Sequence, residues 1–194
     1  LFTGTTRVAR GFKQAGAFVT AVDTASYAHV FAKTFIELDA SAVAMPELTE
    51  AIGRLNEVLG KPGYFTETYC VTTRYFQPAN GERVDAIRDL MESDYRGSWL
   101  YELLIASLLL ATDKVDSTTG MQMAYLKTWS KRSYNDIKLL VPDLLDGAGL
   151  APFPTEALEC GAQDGLVHAR ALASGGAQEL LGGRRVAVAI ARGI

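Results

Sequence analysis

The chain is 194 residues long, 48% hydrophobic and 21% charged, with a formal net charge of -3. This composition describes a globular protein with one sizeable core and excludes a disordered or fibrous chain. No apolar run is long enough to span a bilayer, Leu100 to Ala111 falling short, and the net negative charge restricts any polyanion contact to a local patch.

Leu1 to Asp23 reads as the end of a strand, a tight turn at Phe2-Thr3-Gly4, a helix, and a second strand ending in an acid. Gly4 permits a positive φ or a close backbone approach. Thr5 or Thr6 is expected to cap the helix, whose apolar positions Val8, Ala9, Phe12 and Ala15 recur at helical spacing. Gly16 ends it, and Ala17 to Val22 forms the strand that leads to Asp23. In an open α/β sheet this places Gly4 and Asp23 together, outside the carboxyl ends of neighbouring strands, where a carboxylate can accept from a ribose diol. The same residues also describe a plain βαβ unit whose acid is a solvated strand end. A nicotinamide-dinucleotide fingerprint is disfavoured, because GTTRVA has one glycine where that motif has three. Leu1, not a methionine, already sits at the lip of the turn, so the chain reads as a fragment lacking its true N-terminus.

A helix is expected from Ala25 to Leu38, with Tyr27, Val30, Phe31, Thr34 and Phe35 on one face and His29 as an ordinary partly exposed residue. Pro46 opens a second helix, Glu47 to Leu59, closed by Gly60. Glu67 to Phe76 is aromatic-rich. Pro78-Ala79-Asn80-Gly81 is turn chemistry ahead of a helix from Glu82 to Glu92. Trp99 to Val115 is the most apolar helix and the expected core. A strand pattern returns at Ile137 to Val141. Successive helices without strands between them point to a helical insertion in a sheet. Cys70 and Cys160 make no disulfide framework, and His29 and His168 without clustered cysteines make no metal site. Nothing resembles a signal peptide, so a cytoplasmic protein is expected.

The segment from Lys127 to Lys138 carries Lys127, Lys131, Arg132 and Lys138 against the single acid Asp136. Hydroxyls and backbone amides around Ser117 to Gly120 suit phosphate contact, which positions a duplex without reading it. A solvated loop with a basic rim accounts for the same composition. From Gly147 the chain changes character, becoming rich in glycine and alanine and losing lysine altogether. A helix near Leu166 to Ala173 and a strand at Val186 to Ile190 remain compatible with it.

Three separated blocks, FTGTTRVARGFKQAGAFVTAVD, RYFQPANGERVDAIRD and LLLATDKVDSTTGMQMAYLKTW, resemble in order and spacing the adenine-specific DNA methyltransferases of the Dam type, over residues 1 to 145. The resemblance implies an α/β fold, a partial Rossmann-like S-adenosylmethionine-dependent methyltransferase fold with a helical insertion. It implies that Phe2, Thr3 and Gly4 flank the cofactor S-adenosylmethionine and that Asp23 holds its ribose. It assigns residues 1–59 to the cofactor-binding half, 60–136 to a helical DNA-recognition insertion, and 137–194 to a return to the sheet followed by an atypical tail. Arg74, Asn80, Lys114, Thr118, Thr119, Lys127, Lys131 and Arg132 are the expected DNA contacts. The implied activity is site-specific methylation of the exocyclic amino group of adenine, as in restriction-modification, by a monomer without metal or membrane. The family's Asp-Pro-Pro-Tyr signature is absent, since no two prolines are adjacent, so no residue here is assigned as catalytic. The alternatives are a non-catalytic DNA-binding remnant and an NAD-type Rossmann enzyme.

Overall fold

Helices dominate the residues that the computed structural model describes, namely 3–118, 128–147 and 186–187. The chain divides into two units, Leu1–Val43 with Asp143–Ile194, and Ala44–Pro142.

The first unit holds α1 (Arg7–Gln14), β1 (Val19–Thr20), α2 (Ser26–Ala32) and β2 (Val186–Ala187). β1 and β2 run parallel, Val19 opposite Val186 and Thr20 opposite Ala187. The expected strand over Ala17 to Val22 is thus two residues long, although Ala21 and Val22 beyond it are buried. The Val186 to Ile190 expectation is met at its first two residues. The rest of that segment, and the expected helix at Leu166 to Ala173, lie outside the described residues.

α1 packs on a different face from the one its apolar residues suggest. Ala9 and Lys13 are buried, while Val8 is 74% exposed and Phe12 is 40% exposed. Lys13 is the reason. Its ammonium donates to the carbonyls of Leu38 (2.5 Å) and Phe35 (3.4 Å), at the end of the π-helical turn Lys33–Glu37 that continues α2. Unpaired carbonyls at a helix end attract a cation. Burial nevertheless holds the Lys13 pKa below its ordinary value, despite the opposing charge of Asp39. The expected α2 face is met in part: Phe31, Thr34 and Phe35 are buried, with the rings of Phe31 and Phe35 5.7 Å apart, whereas Val30 is half-buried and Tyr27 is exposed.

The second unit holds α3 (Met45–Asn56), α4 (Pro78–Asp94) and α5 (Tyr101–Asp113). α3 buries Leu48, Ala51, Ile52 and Leu55, the i, i+3, i+4, i+7 set of an amphipathic helix. It stops at Asn56, short of the expected Leu59. The Asn56 carbonyl accepts from Arg83 (2.7 Å), and its side-chain amide turns away to hold the backbone of Leu139.

α4 begins at Pro78, so Pro78-Ala79-Asn80-Gly81 is a first helical turn and not the turn its composition suggests. Proline at the helix start has a preset φ and no donor to lose. Gly81 is required by close approach: a Cβ there would stand 2.2 Å from Cys70 Sγ and 3.2 Å from Thr66 Cα. Those neighbours belong to a π-helix, Thr66–Thr72, laid against α4. α5 is the expected core helix, burying Leu103, Leu104, Ala106, Ser107, Leu108 and Ala111.

The strand expected at Ile137 to Val141 does not form. The segment alternates as a strand would, with Ile137 and Leu139 buried and Lys138 and Leu140 exposed. Its backbone is paired with side chains instead. Asn56 accepts from Leu139 N–H (2.8 Å) and donates to Leu139 C=O (3.0 Å). Asn80 accepts from Ile137 N–H (2.9 Å) and donates to the Asn135 carbonyl (2.9 Å), and Ser107 donates to Leu140 C=O (2.6 Å). Buried backbone groups must find partners, and amides from helices serve where no neighbouring strand does.

Candidate functional site

Two places collect the residues singled out by the sequence. The first is the turn ahead of α1. Thr3 N–H donates to Val22 C=O (3.1 Å), and Gly4 N–H donates to Asp23 Oδ2 (2.7 Å). Ala25 N–H donates to Asp23 Oδ1 (3.0 Å), a local clasp common for an aspartate two residues upstream. Gly4 and Asp23 therefore adjoin, as the strand–turn–helix–strand reading expects. The Gly4 hydrogen bond, then that of Ala25, holds the Asp23 carboxyl below the usual carboxylate range.

Gly4 has φ of 51°, a left-handed conformation suited to glycine. Thr6 has φ of 61°, which is strained for a β-branched residue. Thr6 occupies the helix N-cap without capping it, because its hydroxyl donates to the Thr5 carbonyl (2.7 Å). The expected side-chain cap by Thr5 or Thr6 is thus absent; the left-handed backbone aims the hydroxyl backwards. No signal in the sequence marks Thr6 as strained, whereas Asp-Thr-Ala does carry the signature of the Asp23 clasp.

The turn has the donor set a polar ligand needs. Thr3 Oγ1 is buried and has no hydrogen-bond partner among the described residues. Asp23 accepts from the Gly4 N–H on Oδ2 and from the Ala25 N–H on Oδ1, with the Thr24 N–H adding a further backbone contact. Thr3 and Asp23 are therefore residues that could hold a ribose-bearing cofactor. Phe2 lies outside the described residues.

The second place is in the Ala44–Pro142 unit. Asn80 is 5% exposed and spends its amide on the backbone of residues 133–137, so it acts by positioning that segment. Thr118 is buried and donates to Asp116 Oδ2 (2.5 Å). Arg132 pairs with the Asp116 carboxylate and donates from Nε to the Asp116 carbonyl (3.0 Å). Lys114 and Lys131 are exposed, the first at the end of α5 and the second in a short 3-10 turn, Lys131–Tyr134. Thr119 and Lys127 lie outside the described residues.

Arg74 stands apart from the other cations. It is exposed, has φ of 56°, and lays its guanidinium over the Trp129 ring at 5.3 Å. A left-handed non-glycine residue costs about 1–2 kcal/mol, whereas an exposed cation–π contact contributes about 0.5–1 kcal/mol. The stacking does not offset the backbone. Sequence reasoning picked out Arg74 by its charge and missed Trp129, which has no local signal linking it to residue 74.

Among the described residues, no group of three or more His, Cys, Asp or Glu side chains is placed to hold a metal, and no helix is long and apolar enough to cross a membrane.

Comparison with known proteins adds the family. The model of the D12 class N6 adenine-specific DNA methyltransferases matches residues 1–162. The chain is 31% identical over 147 residues to the type II methyltransferase M.NlaIII of Neisseria lactamica, covering 72% of this chain and 43% of that protein. It is 33% identical over 155 residues to the modification methylase StsI of Streptococcus sanguinis, covering 72% of this chain and 23% of that protein. The chain thus spans less than half the length of these relatives. No solved structure matches it. With the family match running through the Gly4–Asp23 turn, both units and the Arg74 region, the chain belongs to the D12 class of N6 adenine-specific DNA methyltransferases.

Proposed function

We propose that this chain supplies the cofactor turn and the DNA-facing helices of an enzyme that methylates the exocyclic amino group of adenine in DNA, with S-adenosylmethionine as donor. The observation that carries the reading is the Thr3–Gly4–Asp23 turn, with its buried unpartnered hydroxyl beside a carboxylate, inside the stretch matched by the family. In this reading Phe2, Thr3, Gly4 and Asp23 face the cofactor, and the sheet around the parallel β1–β2 pair is Rossmann-like. Residues 1–59 form the cofactor half, residues 60–136 the DNA-recognition insertion, and residues 137–194 the return to the sheet. Arg74, Lys114, Thr119, Lys127 and Lys131 meet phosphates, Thr118 and Arg132 shape the adjoining loop, and Asn80 holds the segment 133–137. The chain acts as a cytoplasmic monomer in site-specific DNA modification.

The bound sulfonium would supply an activated methyl group. The chain's residues bind and orient: Asp23 accepts from ribose hydroxyls, and the Thr3 hydroxyl gains its missing partner. Holding a nucleophile in line contributes much of such a reaction. The acid-Pro-Pro-aromatic turn that would orient the amino group is not among these 194 residues, so this chain alone is expected to bind without transferring.

Calorimetric titration with S-adenosylmethionine and, separately, NAD tests the reading. Binding of the first and not the second is expected; the reverse, or neither, overturns it. Because Asp23 also clasps the backbone, Thr3→Val is the cleaner variant. It should weaken S-adenosylmethionine binding about 2- to 13-fold, the equivalent of a net hydrogen bond of 0.5–1.5 kcal/mol, without lowering the melting temperature. Radiolabelled methyl transfer to mixed-sequence DNA should remain at background; incorporation into adenine would place a catalytic group in this chain.

A further inference from the structure

Arg74 and Trp129 are held as a pair by a framework neither residue belongs to. Tyr75, next to Arg74, accepts at its carbonyl from Ser117 N–H (2.8 Å). Ser130, next to Trp129, donates its N–H to Ser117 Oγ (2.9 Å). Ser117 is 1% exposed, so one buried serine ties down the backbone on both sides of the pair. Upstream, the N–H groups of Tyr75 (2.9 Å) and Phe76 (3.2 Å) both donate to the Tyr69 carbonyl, fixing the exit from the π-helix. The left-handed backbone at Arg74 sits in this fixed stretch, and the cation–π contact it permits is too weak to offset its strain. Strain that persists because the surroundings impose it is a marker of function.

We infer that the stacked Arg74–Trp129 pair is a platform for an unstacked nucleobase of the DNA. The proposal rests on the reading of this unit as DNA-facing. An indole with a guanidinium carbon 5.3 Å from its ring centre combines an aromatic face with a positive charge. Unpaired bases stack on aromatic rings and on arginine planes with little regard to sequence. Arg74 is exposed and Trp129 is half-buried, so the pair lies at the surface. Its charge also neutralises a phosphate of the strand that presents the base. A lysine would keep that charge and lose the plane.

The test uses the full chain carrying Trp99→Phe, which leaves Trp129 as the sole tryptophan, and two duplexes of one sequence. One is fully paired, and the other has a single unpaired adenine. Trp129 emission should be quenched by the second duplex and far less by the first. Arg74→Gly should weaken binding of the second duplex about 5- to 150-fold, as loss of one stacked base does, without lowering the melting temperature, since glycine accepts that φ. Arg74→Lys should weaken it nearly as much. If Trp99→Phe does not fold, Trp129→Leu in the otherwise native chain should abolish the preference for the unpaired duplex. Salt-dependent binding of both duplexes with equal Trp129 emission, or an affinity indifferent to Arg74→Gly, overturns the platform and leaves the DNA-facing reading standing. Binding of neither duplex overturns both.

Discussion

Three residues show how much one contact decides. A Cβ at residue 81 would collide with Cys70 Sγ, so Gly81→Ala should destabilise the chain by about 1–3 kcal/mol, as overpacking does. Chemical denaturation measures it, and Cys70→Ala in the same chain should recover part of the loss, a coupling that distant sites do not show. Burial pushes the Cys70 thiol up to about 11, with Asp85 adding to the effect. In a Cys160→Ser background, the remaining thiol should resist alkylation at pH 8 until denaturant is added, because only about one part in a thousand is thiolate. At Asp85, burial alone would raise the carboxyl pKa. The Thr66 hydroxyl and N–H, with the N–H groups of Phe65 and Gly63, outweigh it and hold the pKa low. A carboxylate depressed in the folded state stabilises above its unfolded pKa, about 4, and that contribution fades as pH falls through the lower folded value. Asp85→Asn should therefore lower stability by about 1–3 kcal/mol at pH 7 and flatten the acid limb of the stability curve below pH 4.

At the scale of elements, the segment 135–140, which follows the 3-10 turn Lys131–Tyr134, is the informative case. Half-buried Asn56, buried Asn80 and buried Ser107 take the place of a neighbouring strand, and each lies on a different helix: Asn56 on α3, Asn80 on α4, Ser107 on α5. Asn56→Ala leaves the N–H and C=O of Leu139 without their partners, at about 1–3 kcal/mol for each group left unsatisfied. Hydrogen exchange should show the Leu139 amide losing protection first, and the Ile137 amide doing so in Asn80→Ala. Equal exchange of both amides in both variants would mean that the segment is held by its side chains, Ile137 and Leu139, and not by its backbone. Leu104→Ala in α5, a fully buried position, should destabilise by about 3–5 kcal/mol, marking α5 as the core of its unit.

For the whole molecule, charge is the governing quantity. A net charge of -3 opposes a polyanion, so the proposed DNA affinity would have to come from local cations and fall steeply with salt. Each phosphate neutralised contributes about -0.9 to the slope of log K against log salt. Lys114→Ala and Lys131→Ala should each reduce that slope by about one, nearly equally for all sequences. Asn80→Ala should leave the slope unchanged, because its amide is already committed to backbone. A gel-shift series over salt concentration distinguishes them.

The amino-acid sequence by itself determined the family, through three blocks that span both units. It also determined the helices whose burial follows a 3.6-residue period, α3 and α5 above all, because amphipathic spacing is a local property. The adjacency of Gly4 and Asp23 was legible for a similar reason: strand, turn and helix lengths set it. Tertiary structure decided what local pattern cannot carry. Lys13 faces inward because distant carbonyls await it, and residues 137–141 alternate like a strand without a strand beside them among the described residues. Residue 81 in the first turn of α4 must be glycine because Cys70 occupies the space a side chain would fill. Arg74 meets Trp129 between backbone stretches that Ser117 ties together. Each of these turns on a partner far along the chain, and a period read within a short window contains no record of it.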